Sequence, residues 1–175
     1  NNSAKVYGGA VLMGGDCSSI INANFISNTA NQGGAVRVMG KNGTLTDSQF
    51  KNNNATRFAA SVSWGAPNGV ISDCSFINNT AGTSTGGIRL ESEAHNTTVS
   101  NCSFENNVAL AGGSAALYCT ANNCSVKDSN FTNNSAVTTG GAVFWNTNGA
   151  NGTMANCNFN NNNAADGGAL NWRAA

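Results

Sequence analysis

Phe131-Thr132-Asn133-Asn134-Ser135-Ala136, followed after a short loop by Gly140-Gly141-Ala142-Val143-Phe144-Trp145, decides the fold, because the whole chain repeats it. Phenylalanine recurs at Phe25, Phe50, Phe76, Phe104, Phe131 and Phe159, a spacing of 25 to 28 residues. Three residues after each stands Asn28, Asn53, Asn79, Asn107, Asn134 or Asn162, and two further on an alanine, Ala30, Ala55, Ala81, Ala109, Ala136 or Ala164. A glycine pair usually follows, as in Gly33-Gly34-Ala35-Val36, Gly86-Gly87-Ile88 and Gly167-Gly168-Ala169-Leu170, and it weakens at Ala59-Ala60-Ser61-Val62. A period of this length marks a solenoid, in which one repeat cannot bury its apolar stripe until the next stacks on it.

Working outward from phenylalanine, each column of the alignment has a physical reading. Five residues earlier come Ile20, Leu45, Ile71, Val99, Val126 and Met154, all apolar, and two earlier Ala23, Ser48, Cys74, Cys102, Ser129 and Cys157, all small. With phenylalanine they define strands that face a core. Three earlier come Asn22, Asp47, Asp73, Asn101, Asp128 and Asn156, residues that tolerate left-handed backbone and so predict a bend. After the glycines, Val11, Val36, Val62, Ile88, Val143 and Leu170, then Met13, Val38, Trp64, Leu90, Trp145 and Trp172, predict a second inward strand, with Leu12, Arg37, Ser63, Arg89, Phe144 and Asn171 pointing out between them.

Short strands, sharp corners and no helix-length segment predict an all-β chain: a right-handed, single-stranded parallel β-helix of about six full coils. Stacking at about 4.7–4.9 Å puts Phe on Phe and Asn on Asn, so the asparagines form a ladder of amides that satisfies an otherwise costly buried turn. A sandwich of hairpins would instead turn every 8–12 residues or so. Residues 1–175 read as one β-helix segment: Asn2-Ser3-Ala4 and Gly8-Gly9-Ala10-Val11 align in mid-repeat, so the chain is expected to be a piece of a longer array.

The paired motif, quoted from Phe25-Ile26-Ser27-Asn28-Thr29-Ala30 with Gly33-Gly34-Ala35-Val36 and from Phe131 to Val143, resembles the repeat of the polymorphic membrane proteins of chlamydiae and of adhesin-like proteins that share it. The resemblance runs through essentially the whole chain. It implies a surface-exposed β-helix used in adhesion or as a structural stalk, whose repeated residues build scaffold while loops and outward columns do the binding.

Composition narrows the classes. Charged residues are 9% of the chain and formal net charge is zero, so no footprint for nucleic acid is expected. Apolar residues are 40% but scattered, without the run of roughly 18 that a membrane helix needs. No cofactor or metal is expected: the six cysteines lack the tandem spacing that zinc prefers, and His95, the single histidine, follows Glu91 and Glu93 without a fourth ligand and reads as an exposed polar loop. Disulfide candidates are Cys119 with Cys124, bracketing a short loop, and Cys74 with Cys102, in one inward column of consecutive coils.

Sequons are frequent, and Asn54, Asn78, Asn96, Asn133 and Asn151, expected in turns, are the glycosylation candidates. Asp16, Asp47, Asp73, Asp128 and Asp166 raise a polysaccharide-cleaving enzyme, but three of them lie in the bend column where Asn substitutes freely, which favours structure. Arg37 and Arg89, two coils and roughly 10 Å apart, read as solvated charges. Outward Leu12 and Phe144 are candidates for contact with sugar rings or a partner. The leading expectation is an extracellular, non-catalytic adhesin-like scaffold or stalk, with further copies of the repeat, stacked subunits, or a host-cell or glycan ligand as partners. A self-assembling filament subunit and a carbohydrate-active β-helix enzyme are the alternatives.

Overall fold

A computed structural model describes residues 1–174. The chain winds as a right-handed parallel solenoid of about six turns, all strand and corner. Every strand pairs in parallel with its counterpart one coil away, giving four sheets that run along the axis. The seven-stranded sheet holds Val11–Met13, Val36–Val38, Val62–Trp64, Ile88–Leu90, Leu117–Cys119, Val143–Trp145 and Leu170–Trp172. One six-stranded sheet carries the aliphatic column from Ile20 to Met154, the other the six phenylalanines, and a five-stranded sheet the alanines.

Corners follow from residues that accept positive φ. The bend column takes φ between 51° and 54° at Asn22, Asp47, Asp73, Asn101, Asp128 and Asn156. Two further left-handed columns occur, at Cys17, Asn42, Asn68, Asn96, Asn123 and Asn151, and at Ser27, Asn52, Asn78, Asn106, Asn133 and Asn161. Asparagine is abundant because its short amide tolerates that conformation and bonds locally.

Packing inside is columnar. Consecutive phenylalanine rings stack at 4.8 to 5.0 Å with interplanar angles of 4° to 13°. Each such pair adds about 1 kcal/mol beyond area burial. Beside them runs the asparagine ladder. Asn79 Nδ2 donates to Asn107 Oδ1 at 2.9 Å and to the Phe50 carbonyl at 3.0 Å, while its Oδ1 accepts from the backbone N–H and Nδ2 of Asn53. The same pattern joins Asn28, Asn53, Asn107, Asn134 and Asn162, and Asn2 adds a rung below.

The seven-stranded sheet has a member the glycine motif does not reveal. Leu117–Cys119 pairs between Ile88–Leu90 and Val143–Trp145, preceded by Ala115-Ala116 in place of glycine. Cys119 is thus an inward residue that ends a strand and borders the loop between it and Cys124. Asn54 likewise begins a strand, Asn54–Phe58, and is not in a turn.

Candidate functional site

The disulfide candidates Cys74, Cys102, Cys119 and Cys124 are buried, and all six cysteines are free thiols. Cys74 and Cys102 occupy one column, but in-register coils set side chains about 4.8 Å apart, beyond the Cβ separation of about 3.8 Å that a disulfide favours. Cys119 and Cys124 meet across a bend, thiol to thiol. Hydrogen bonding to Cys124, then burial, raises the Cys119 thiol above its ordinary value, and Cys74 with burial does the same to Cys102.

Among the glycosylation candidates, Asn54, Asn78, Asn96, Asn133 and Asn151 are all exposed. The Nδ2 groups of Asn96 and Asn151 donate into an outer amide ladder, to Asn68 at 3.1 Å and Asn123 at 3.2 Å. Asn54, Asn78 and Asn133 make no side-chain hydrogen bond among the described residues, which leaves their Nδ2 groups freer for modification than those of Asn96 and Asn151.

Glu91, Glu93 and His95 do not converge. Glu93 accepts from Ser92, and exposed His95 accepts the Asn122 backbone N–H at Nδ1, 3.3 Å away. No group of three metal-ligating side chains occurs among the described residues. A groove of about 600 Å³ runs over the bend column, lined by Asp47, Asp73, Asn101 and Asp128 among others. Two of its carboxylates are rungs of a side-chain ladder: Asp73 accepts from Asn101 at 3.2 Å and Asp128 from Asn156 at 3.0 Å. Their place in that ladder gives them a structural role.

The built site lies on the outer face of the seven-stranded sheet, and here the structure corrects the reading of Arg37 and Arg89 as solvated. Arg37 forms an ion pair with Glu91, two coils along, and both side chains are nearly buried. Ser63, between them, accepts from Arg37 and donates to Glu91 at 2.6 Å each, and Gln32 donates to the same carboxylate. Gly65 makes the diagonal contact possible: a Cβ there would fall 2.9 Å from Arg37 Nη2 and 3.0 Å from Glu91 Oε2. Burial pushes the Glu91 carboxyl up, but hydrogen bonds from Arg37 and Ser63 and two guanidinium charges leave it below its ordinary value.

Arg89 lies between two rings, its Cζ 4.6 Å from the Phe58 centroid and 4.8 Å from that of Tyr118. Arg57 covers Phe58 at 4.6 Å, Arg37 lies 5.7 Å from Tyr7, and Arg173 lies 5.3 Å from Phe144. Phe144 is therefore buried at 8% exposure under Arg173 and beside Tyr118, and is not the open aromatic expected; Leu12 is exposed. The chain's four arginines all sit on or border this face, and with them both tyrosines and the two phenylalanines outside the stack. A register shift between Ala30 and Gln32 against Asn54–Phe58 turns Phe58 toward it.

The family model for the right-handed β-helix region matches residues 1–164. No curated protein and no solved structure matches the chain. Parallel coils, stacked columns and a match over most of its length agree: the chain belongs to the right-handed β-helix region family.

Proposed function

We propose that the chain is a non-catalytic segment of an extracellular, adhesin-like solenoid, a rigid scaffold that carries one recognition face for a glycan on another surface. The observation that carries this reading is segregation: every arginine, and every aromatic outside the inward columns, gathers on one side of the rod. Core packing does not require it, since those columns point outward, and arginine with aromatics is the composition of recognition surfaces. The resemblance of the repeat to chlamydial polymorphic membrane proteins and other adhesin-like proteins supports the surface location, as do exposed sequons at Asn78 and Asn133.

A glycan array probed with fluorescent chain tests it. Wild type is expected to bind a subset of glycans without shortening them, Arg57→Ala and Arg173→Ala to lose that binding, and Lys127→Ala, on another sheet, to keep it. Binding untouched by the two face variants, or release of new reducing ends from the bound glycan, overturns the reading.

A further inference from the structure

We infer that the arginine face takes an anionic polysaccharide, a linear glycan bearing carboxylate or sulfate groups, laid along the solenoid axis. This rests on the reading of that face as the recognition surface and names its ligand class. Charge is the first ground. Four arginines, Arg37, Arg57, Arg89 and Arg173, stand against two carboxylates, Glu91 and Asp166, so the face carries four minus two, or two, positive charges in a chain of zero net charge.

The second ground is which charges are left over. The Glu91 carboxylate is occupied by Arg37, Ser63 and Gln32. Arg57 and Arg89 have no carboxylate within ion-pair distance among the described residues. Arg89 is partly buried, its Nη1 donates to Ser84 at 2.9 Å, and its Nε has no partner. Arg89 feels the Glu91 charge only at a distance, and a guanidinium taken out of water without a carboxylate in contact is costly, a cost that two rings offset only in part. An anion beside Phe58, where Arg57 and Arg89 stack on the same ring, completes the pairing.

The third ground is what the face cannot offer. Three of its four aromatic rings, Phe58, Tyr118 and Phe144, lie under guanidiniums, and only Tyr7 at one end is open to a neutral sugar, whereas the in-plane N–H groups of arginine fork onto carboxylate or sulfate oxygens. Its backbone is consumed by coil-to-coil pairing, so an extended peptide has no sheet edge to join here. The cationic sites succeed one another along a straight rod: Arg37 to Arg89 is two coils, roughly 10 Å, and Arg89 to Phe144, under Arg173, is two more. A linear polymer with an acidic group on its repeating unit fits this spacing.

Surface plasmon resonance of the whole chain over heparin (sulfated), polygalacturonate (carboxylated), dextran (neutral) and single-stranded DNA tests the inference. Binding is expected to at least one acidic polysaccharide, weakening with salt, and the two acidic arms separate sulfate from carboxylate recognition. Arg57→Ala is expected to lower affinity about tenfold, Arg57→Lys to lie between, and Lys127→Ala to match wild type, with circular dichroism unchanged in all. Dextran binding that Arg57→Ala abolishes would overturn the anion assignment while sparing the recognition face. Tighter binding to DNA overturns it in favour of nucleic acid. Binding of heparin and polygalacturonate that ignores Arg57 sinks both readings together.

Discussion

Single residues decide the outer face. The folded pKa of Glu91 lies below its ordinary 4.5, so the stability it contributes is complete above that value and is lost as pH falls through the folded pKa. Glu91→Gln, which leaves Arg37 without its counter-charge, is therefore expected to cost about 2 kcal/mol at pH 7. In urea midpoints, that difference narrows below pH 4.5; a gap constant down to pH 3 would refute the pairing. Ala59 holds φ 53° where the neighbouring coil has Gly33 at 64°. Left-handed backbone costs a residue with a Cβ about 1–2 kcal/mol, so Ala59→Gly is expected to raise stability by about 0.5–1 kcal/mol after the entropy of the freer unfolded chain is subtracted. Thiol reactivity is a third check. Cys17 is exposed while Cys74, Cys102, Cys119 and Cys124 are buried, so native alkylation followed by mass spectrometry should label Cys17 first and leave those four protected. A mass lower by two hydrogens at Cys119–Cys124 would instead reveal oxidation of that pair.

Elements explain what was legible in advance. The phenylalanine and asparagine columns could be read from spacing alone, because parallel in-register stacking favours the same residue at the same place in each coil, and the bend column because Asn and Asp accept positive φ more readily than most residues with a side chain. Leu117–Cys119 escaped because Ala115-Ala116 replaces the glycine signal on which its alignment depended. The arginine face was illegible for another reason: Arg37 reaches Glu91 over a gap left by Ser63 and Gly65, and Phe58 arrives through an irregular register, neither of which follows the repeat. The ladder itself makes a sharp prediction. Asn79→Ala would leave the Asn53 amide, the Phe50 carbonyl and Asn107 Oδ1 each short of a bond in a fully buried site, for a loss of about 3 kcal/mol or more. Asn162→Ala, at a partly exposed rung, should cost clearly less when both are compared by urea denaturation.

At the scale of the whole molecule, coils are interchangeable units. Excising residues 131–158 would join Asn130 to Phe159, which already stacks on Phe131, and bring the column back into register. The shortened chain is expected to keep its β circular dichroism with a lower melting temperature, whereas excising half that length should abolish the fold, because corners would then stack on strands and the phenylalanine and asparagine columns would be broken. The same one-coil-at-a-time connectivity governs how the rod answers a pull. Each coil advances the axis by about 4.8 Å yet stores about 27 residues, which drawn straight reach roughly 90 Å. Tension at the ends peels coils in sequence, so an anchored rod of this design yields in a sawtooth of small ruptures. Each rupture lengthens the tether nearly twentyfold relative to the coil it releases, so a load on such a rod is paid out gradually before the rod fails.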